Sequence, residues 1–334
     1  MKSIKAIDSI KIIFLTILFF ACEKKNETPA LWLKEADFPG TKRKFAGGMS
    51  MNGKGYVIFG DDGGFGSYQL NDIWEFNPQK KDWNKIAIFN EPIKRAGPVL
   101  CTTIDNSIYI LTSFGPETTL VKYFVEFDTK NLAFKKIEIP SDLNISLNLI
   151  FSNKRNLYFQ ASSFPQGASQ PSFKFYKYNI DQGNWKELPF LDSENSPVSE
   201  AYGITPTFSI KDNLYLFNRS GFLWMFDTQT EMWQNLGNPG LKAPTGERVN
   251  SFNCVINNYV YFIGGDYFFG NIESQRVFRY DSKLNSLKEL ENLPYDYPAS
   301  GAAGFVLDNI AYMCMGGTKY SIFKDVWTFK GDER

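Results

Sequence analysis

The chain has 334 residues, 36 basic and 36 acidic, no histidine, and a formal charge of zero. With 43% hydrophobic and 22% charged residues it can bury a substantial core, and its balanced charge offers no electrostatic footprint for nucleic acid. The missing histidine excludes Ser-His-Asp and Cys-His catalysis, imidazole-held zinc or copper, and histidine pH switching; carboxylate, tyrosine and arginine chemistry survive, as does plain binding.

Residues 1–21 carry Lys2, Lys5 and Lys11 ahead of a ten-residue apolar run from Ile12 to Ala21, and Cys22 follows. Ten residues are too few to span a bilayer, and the pattern has the shape of a secretory signal. Leu18-Phe19-Phe20-Ala21-Cys22 resembles a bacterial lipobox, which implies cleavage before Cys22 and lipidation of its sulfur. The expected organisation is a signal peptide over 1–21, an acylated Cys22 with a polar tether to 29, and a folded region over 30–334. That places the protein on a membrane of the bacterial envelope, expected to be the outer one, facing the periplasm or the surface. The mature formal charge would be −2, since three Lys and one Asp leave with the signal. Cys101, Cys254 and Cys314 then remain in apolar runs, and whether Cys254 and Cys314 pair is open.

A tyrosine recurs inside a β-like run at Tyr56, Tyr109, Tyr158, Tyr215, Tyr261 and Tyr312. Turn pairs precede it: Asn52-Gly53, Asp105-Asn106, Asp212-Asn213, Asn257-Asn258 and Asp308-Asn309, with Lys154-Arg155-Asn156 a poorer fit in the third copy. A second register ends at Phe76, Phe127, Tyr178, Phe226 and Tyr280, each followed at once by Asn or Asp. Seven residues beyond each comes Trp83, Phe134, Trp185, Trp233 or Leu287. Each unit therefore reads as four short antiparallel strands, a to d, with an Asx-type turn between c and d.

Six such units predict an all-β, six-bladed β-propeller. The double glycine after strand b, in Gly264-Gly265 and Gly316-Gly317, with the later tyrosine and tryptophan, resembles the kelch repeat over roughly residues 30–330; copy one has Gly60-Asp61-Asp62-Gly63-Gly64 there. The last copy stops after strand c at Phe329, while Trp32-Leu33-Lys34 matches a spare d strand. Residues 30–36 are thus expected to close the ring beside blade six.

Alternating strands put the b–c and d–a connections on one face, where loop variation can build a site on a rigid frame. Counting back from the tyrosines places Arg43, Arg95 and Arg248 where strand a opens, with Tyr202 in the fourth copy. Two readings stand for the arginines. They clamp an acidic ligand, as arginines at this position do in some kelch proteins, or they brace loops against Glu247, Asp61 or Asp62. Further rim candidates are Tyr68, Arg219, Asp266, Tyr267, Phe268, Arg276 and Tyr320. Asp181-Gln182-Gly183-Asn184-Trp185 reads as the c–d turn of blade three rather than an aspartate box. No zinc spacing, phosphate loop or dinucleotide fingerprint appears, so neither metal nor cofactor is expected.

Without a convincing catalytic constellation, the leading expectation is a lipid-anchored module binding a protein or a glycan through its loop-rich face, with no nucleic-acid partner. The kelch resemblance also brings in galactose oxidase, whose copper chemistry the absence of histidine removes, and a metal-free sialic acid mutarotase. The alternative is accordingly a non-metal carbohydrate enzyme, with an arginine holding the sugar carboxylate and Glu247, Asp61 or Asp266 as base.

Overall fold

The computed structural model describes residues 31–64, 69–93, 98–112, 123–143, 145–163, 172–189, 207–218, 221–239, 248–267, 274–294, 300–318 and 320–332. The compact unit Trp32–Arg334 is built of strands. Among the described residues no helix is long and apolar enough to cross a membrane.

After the short strand β1 (Trp32–Lys34), blade one comprises β2 (Gly47–Met51), β3 (Lys54–Gly60), β4 (Leu70–Asn77) and β5 (Asp82–Ile88). Blade two follows as β6 (Leu100–Ile104), β7 (Ser107–Leu111), β8 (Tyr123–Asp128) and β9 (Ala133–Glu138). Blade three is β10 (Ile145–Asn153), β11 (Asn156–Ser163), β12 (Ser172–Asn179) and β13 (Asn184–Leu188). Blade four is β14 (Thr207–Ile210), β15 (Asn213–Phe217), β16 (Leu223–Asp227) and β17 (Met232–Gly237). In blade five a two-residue pair, β18 (Arg248–Val249) and β21 (Asp266–Tyr267), accompanies β19 (Phe252–Ile256), β20 (Tyr259–Ile263), β22 (Val277–Asp281) and β23 (Ser286–Glu289). Blade six has β24 (Ala303–Leu307), β25 (Ile310–Cys314) and β26 (Val326–Phe329).

Every blade is a four-stranded antiparallel sheet, and the sixth has the order β1-β26-β25-β24. The chain start therefore supplies the missing outer strand. Trp32 stands opposite Phe329, their rings 4.5 Å apart. The same aromatic couple recurs within other blades as Phe76–Trp83, Phe127–Phe134, Tyr178–Trp185 and Phe226–Trp233, each pair directly opposite in register. The seven-residue offset is thus the length of a hairpin that brings two rings into contact across strands c and d.

The Asx turns explain how that hairpin closes. Oδ1 of Asn77 accepts the N–H groups of Gln79 and Lys80, and Asp128, Asn179, Asp227 and Asp281 each accept the corresponding two. Four residues after each Asn or Asp the chain takes a positive φ, at Lys81, Leu132, Gly183, Glu231 and Asn285. At the a–b hairpins, Asn52, Asp105, Lys154, Lys211, Asn257 and Asp308 open the turn with positive φ. In blade four the turn is Lys211-Asp212, since Ile210 pairs with Asn213. The turn expected at Asp212-Asn213 is one residue early because Lys211 takes the left-handed conformation without an Asn or Gly cue.

Most of the core lies between blades. One apolar cluster joins Ile58 and Ile73 of blade one to Ile110 and Val125 of blade two. Others join blades two and three, three and four, four and five, and six and one. Blades one and six meet so closely that a Cβ on Gly48 would lie 2.3 Å from the backbone nitrogen of Gly304. Cys101, Cys254 and Cys314 are free thiols in this packing, and burial pushes the Cys101 thiol up to about 12 and that of Cys254 and Cys314 higher still. Cys254 and Cys314 are both free, so the bridge left open above is not formed in this structure.

Candidate functional site: the rim of blades five, six and one

On the loop-rich face, blades one, five and six repeat one construction. Two consecutive residues leave strand b with positive φ: Phe59-Gly60, Gly264-Gly265 and Met315-Gly316. The equivalents of the blade-five double glycine are therefore Phe59-Gly60 and Met315-Gly316, one residue earlier than the sequence motif suggests. Phe59 and Met315 bear this left-handed turn while their side chains are buried in the core. The next residue then bridges to the segment that enters strand a: Asp61 to Lys44, Asp266 to Val249, and Gly317 to Ser300.

What the construction carries differs from blade to blade. In blade one, Arg43 is 0% exposed, so it is not an open rim cation. Its Nη1 donates to Asp72 Oδ1 at 2.5 Å and to the Phe59 carbonyl at 2.8 Å, Nη2 donates to Asp72 Oδ2 at 3.2 Å, and Nε donates to the Thr41 carbonyl at 3.0 Å. The guanidinium also lies 5.0 Å over the Phe38 ring, and Trp74 Nε1 donates to Asp72 at 2.8 Å. Burial alone would raise the Asp72 carboxyl, but the bonds and charge of Arg43 and the bond from Trp74 outweigh it and hold it below the usual aspartate value. Arg43 is therefore a brace, with Asp72 rather than Asp61 or Asp62 as its counter-ion; Glu247 lies outside the described residues. Asp61 is buried and caps its own loop through Gly63 N–H, and Asp62 does the same through Gly64 N–H.

At the junction of blades five and six the carboxylate is used differently. Asp266 Oδ2 accepts both Ser300 Oγ–H at 2.5 Å and Asn250 Nδ2–H at 3.1 Å. These donors come from the entries to strand a of two adjacent blades, and Asn250 holds a positive φ to reach its place. Among the described residues Oδ1 has no donor, and the side chain is partly exposed. Such a carboxylate is oriented at one oxygen and open at the other, which suits it to accept a ligand hydroxyl or its proton. Arg248 is paired through the backbone with Tyr267, next to Asp266. Ser300 is bonded in turn to Gly317, the base of a small hairpin closed on Ile322, and Tyr320 stands on that hairpin 87% exposed. Thr318 Oγ1 fixes its tip by accepting the N–H groups of Tyr320 and Ser321.

Arg276 opens strand c of blade five. Its Nε and Nη2 donate to the two oxygens of Glu289 at 2.5 Å each, and its guanidinium lies 4.8 Å over Phe278. Tyr68, Arg95, Tyr202, Arg219 and Phe268 lie outside the described residues, and for Arg248 and Tyr267 the backbone alone is described. Sequence reasoning missed Asp72, Asn250, Ser300 and Glu289. Asp72 had a usable signal, since it stands four residues before the terminal aromatic Phe76, where blade five has Arg276 before Tyr280. Asn250 and Ser300 had none, because they converge only when two blades pack. Among the described residues no group of three or more metal-ligating side chains stands together.

No protein-family profile matches the chain. It is 23% identical over 303 residues to N-acetylneuraminate epimerase 1 of Escherichia coli O6:H1, covering 86% of this chain and 73% of that protein. The solved structure of YjhT superposes with a TM-score of 0.66 at 13% identity, covering 87% of this chain and 95% of that one. The chain has a kelch-like fold, a six-bladed propeller. The double left-handed turn of the kelch repeat is complete in its blades one, five and six, the same blades whose rims carry Asp61, Asp266 and Gly317.

Proposed function

We propose that this kelch propeller is an envelope protein, anchored through an acylated Cys22, whose rim at blades five and six takes an acidic sugar of the sialic acid type and interconverts its anomers. The observation that carries the reading is the carboxylate of Asp266, held at Oδ2 by Ser300 and Asn250 and without a donor at Oδ1 among the described residues. The extent of similarity to an N-acetylneuraminate epimerase supports the substrate class.

Anomer exchange needs a base at the anomeric hydroxyl and a proton for the ring oxygen. Asp266 Oδ1 would take the hydroxyl proton as the bond from anomeric carbon to ring oxygen breaks. The electron pair goes to the ring oxygen, which is protonated from Asp266 or water. Rotation and the reverse steps give the other anomer, with no redox change and no metal. The test is proton NMR of freshly dissolved N-acetylneuraminate with the fragment 23–334. Anomer equilibration faster than the buffer rate, and lost in Asp266→Asn, is the expected result; equilibration at the buffer rate overturns the catalytic step.

A second reading, binding without turnover of a glycan or a protein, is favoured by Tyr320, an aromatic ring presented on a stiffened hairpin. Line broadening of an added sialylated glycan without acceleration of the free sugar would select it. The anchor is tested separately: Cys22→Ala should move the protein from the membrane to the soluble fraction, and unchanged sedimentation would refute lipidation at that residue.

A further inference from the structure

The face opposite the Asp266 rim is made of the tight a–b and c–d turns, with the c–d turns at the outer edges of the blades. Among the described residues six large hydrophobic side chains are exposed, and three of them stand at c–d turns: Leu132 in blade two at 48%, Met232 in blade four at 49% and Leu284 in blade five at 74%. A single exposed leucine is ordinary on a protein surface, but the fold gives no reason for three on one kind of turn. Leu132 holds a φ of 54° at the position where blades three and five have Gly183 and Asn285, residues that take this conformation readily. A half-exposed leucine in a left-handed turn serves neither the core nor the turn. Lys130 and Lys283, exposed beside Leu132 and Leu284, make no salt bridge among the described residues. Blade six has no c–d turn, and in its place the chain enters the fold at Trp32, opposite Phe329. Nine residues, 23–31, separate that entry from Cys22, ~30 Å at full extension.

We propose that this turn face lies on a lipid surface, with Leu132, Met232 and Leu284 entering the boundary between headgroups and acyl chains and Lys130 and Lys283 meeting headgroup phosphates. The inference rests on the anchor reading above, since an acylated Cys22 is what would bring the face to a membrane. A short tether that leaves from the turn face holds that face, and not the Asp266 rim, nearest the bilayer. Leucine and methionine gain by leaving water, while each lysine lays its stem along the apolar layer and keeps its ammonium among the phosphates. The acids beside these tips are engaged within the protein: Asp128, Asp227 and Asp281 accept backbone N–H groups, and Glu231 is paired with Lys177 and Lys186. The tips belong to separate blades, so they form no contiguous apolar patch of the kind a protein partner would need at the centre of its interface. A fluid bilayer accepts spaced tips one by one. With the turns on the membrane, Asp266 and Tyr320 face away from it, open to a ligand arriving from the space beyond.

The test places a fluorophore at one site at a time, through Leu132→Cys, Met232→Cys, Leu284→Cys or Tyr320→Cys. The fragment 23–334 carries a polyhistidine tag ahead of residue 23 and is held on phosphatidylcholine–phosphatidylglycerol vesicles by a nickel-chelating lipid, so the tether is kept without acylation. Brominated acyl chains are expected to quench the labels at 132, 232 and 284 and to leave the label at 320 unchanged. Leu132→Ser with Leu284→Ser should then abolish the quenching at 232. Quenching at 320 alone, equal quenching at all four sites, or none at any of them overturns the surface. An emission change at 284 that grows with protein concentration in the absence of vesicles marks a second copy as the occupant and overturns it too. The anchor is read apart from this, by sedimentation of the full-length chain with cell membranes. A soluble full-length chain alongside a quenched tethered fragment sinks acylation and sustains the surface, whereas a sedimenting chain with an unquenched fragment does the reverse.

Discussion

Blade one and blade five use the same turn, the same bridge and an arginine at the same place, yet their rims have opposite characters. At the rim of blade one Arg43 is spent on Asp72, Phe59 and Thr41, and Asp61 on its own loop. At blade five Asp266 spends one oxygen on its neighbours, and among the described residues the other has no donor. Where strand c begins, blade one has Asp72, bonded to Arg43, and blade five has Arg276, bonded to Glu289. A repeat thus makes positions equivalent without making their roles equivalent, because the role depends on which counter-ion the blade supplies.

The largest effect expected from this contrast is in blade one. Arg43→Met should cost ~3–5 kcal/mol in a denaturant titration, since it strands a largely buried carboxylate. Arg248→Met should leave the midpoint nearly unchanged; a comparable loss there would erase the distinction between the rims. The pH dependence sharpens the point. The folded Asp72 pKa lies below its unfolded value, so its contribution is whole above the ordinary aspartate range and drains away as pH falls through the depressed value. The stability gap between wild type and Arg43→Met should therefore narrow on acidification, read from denaturant midpoints between neutral pH and about pH 3. A gap that stays constant would mean that Asp72 is not the partner that matters.

Next in size is the closing strand, which feeds directly into the blade-one rim through Phe38. Trp32→Ala should cost about 3 kcal/mol by loss of its ring against Phe329. Hydrogen exchange should then rise first in residues 38–46 rather than around Asp266. The smallest change in stability belongs to the other rim. Asp266→Asn should shift the unfolding free energy by less than about 1 kcal/mol, since the amide retains one acceptor, while removing anomer exchange. A large loss of stability would recast Asp266 as a second brace.

Much of the fold could be read directly from the residues. The tyrosine register marked strand b, and the seven-residue aromatic offset marked a hairpin whose Asx turn the structure reproduces at all five predicted sites. Even Trp32 was legible, because a spare d strand at one end answers a missing one at the other. The site was legible only in part. Asp266 and Arg276 stood out as rim candidates, but Arg43 was misplaced there, and its true partner lies in another strand of its own blade.

The amino-acid sequence by itself determined the number of blades, their strand order, their turns and the closure of the ring. These depend on contacts between residues near in the chain, or on a pattern repeated six times, and both leave a periodic trace. Only the tertiary structure decided which charges are spent and which stay open. That outcome depends on side chains such as Asn250, from its own blade, and Ser300, from the next, which meet at Asp266. Neither spacing nor composition records how closely two separate sheets will pack.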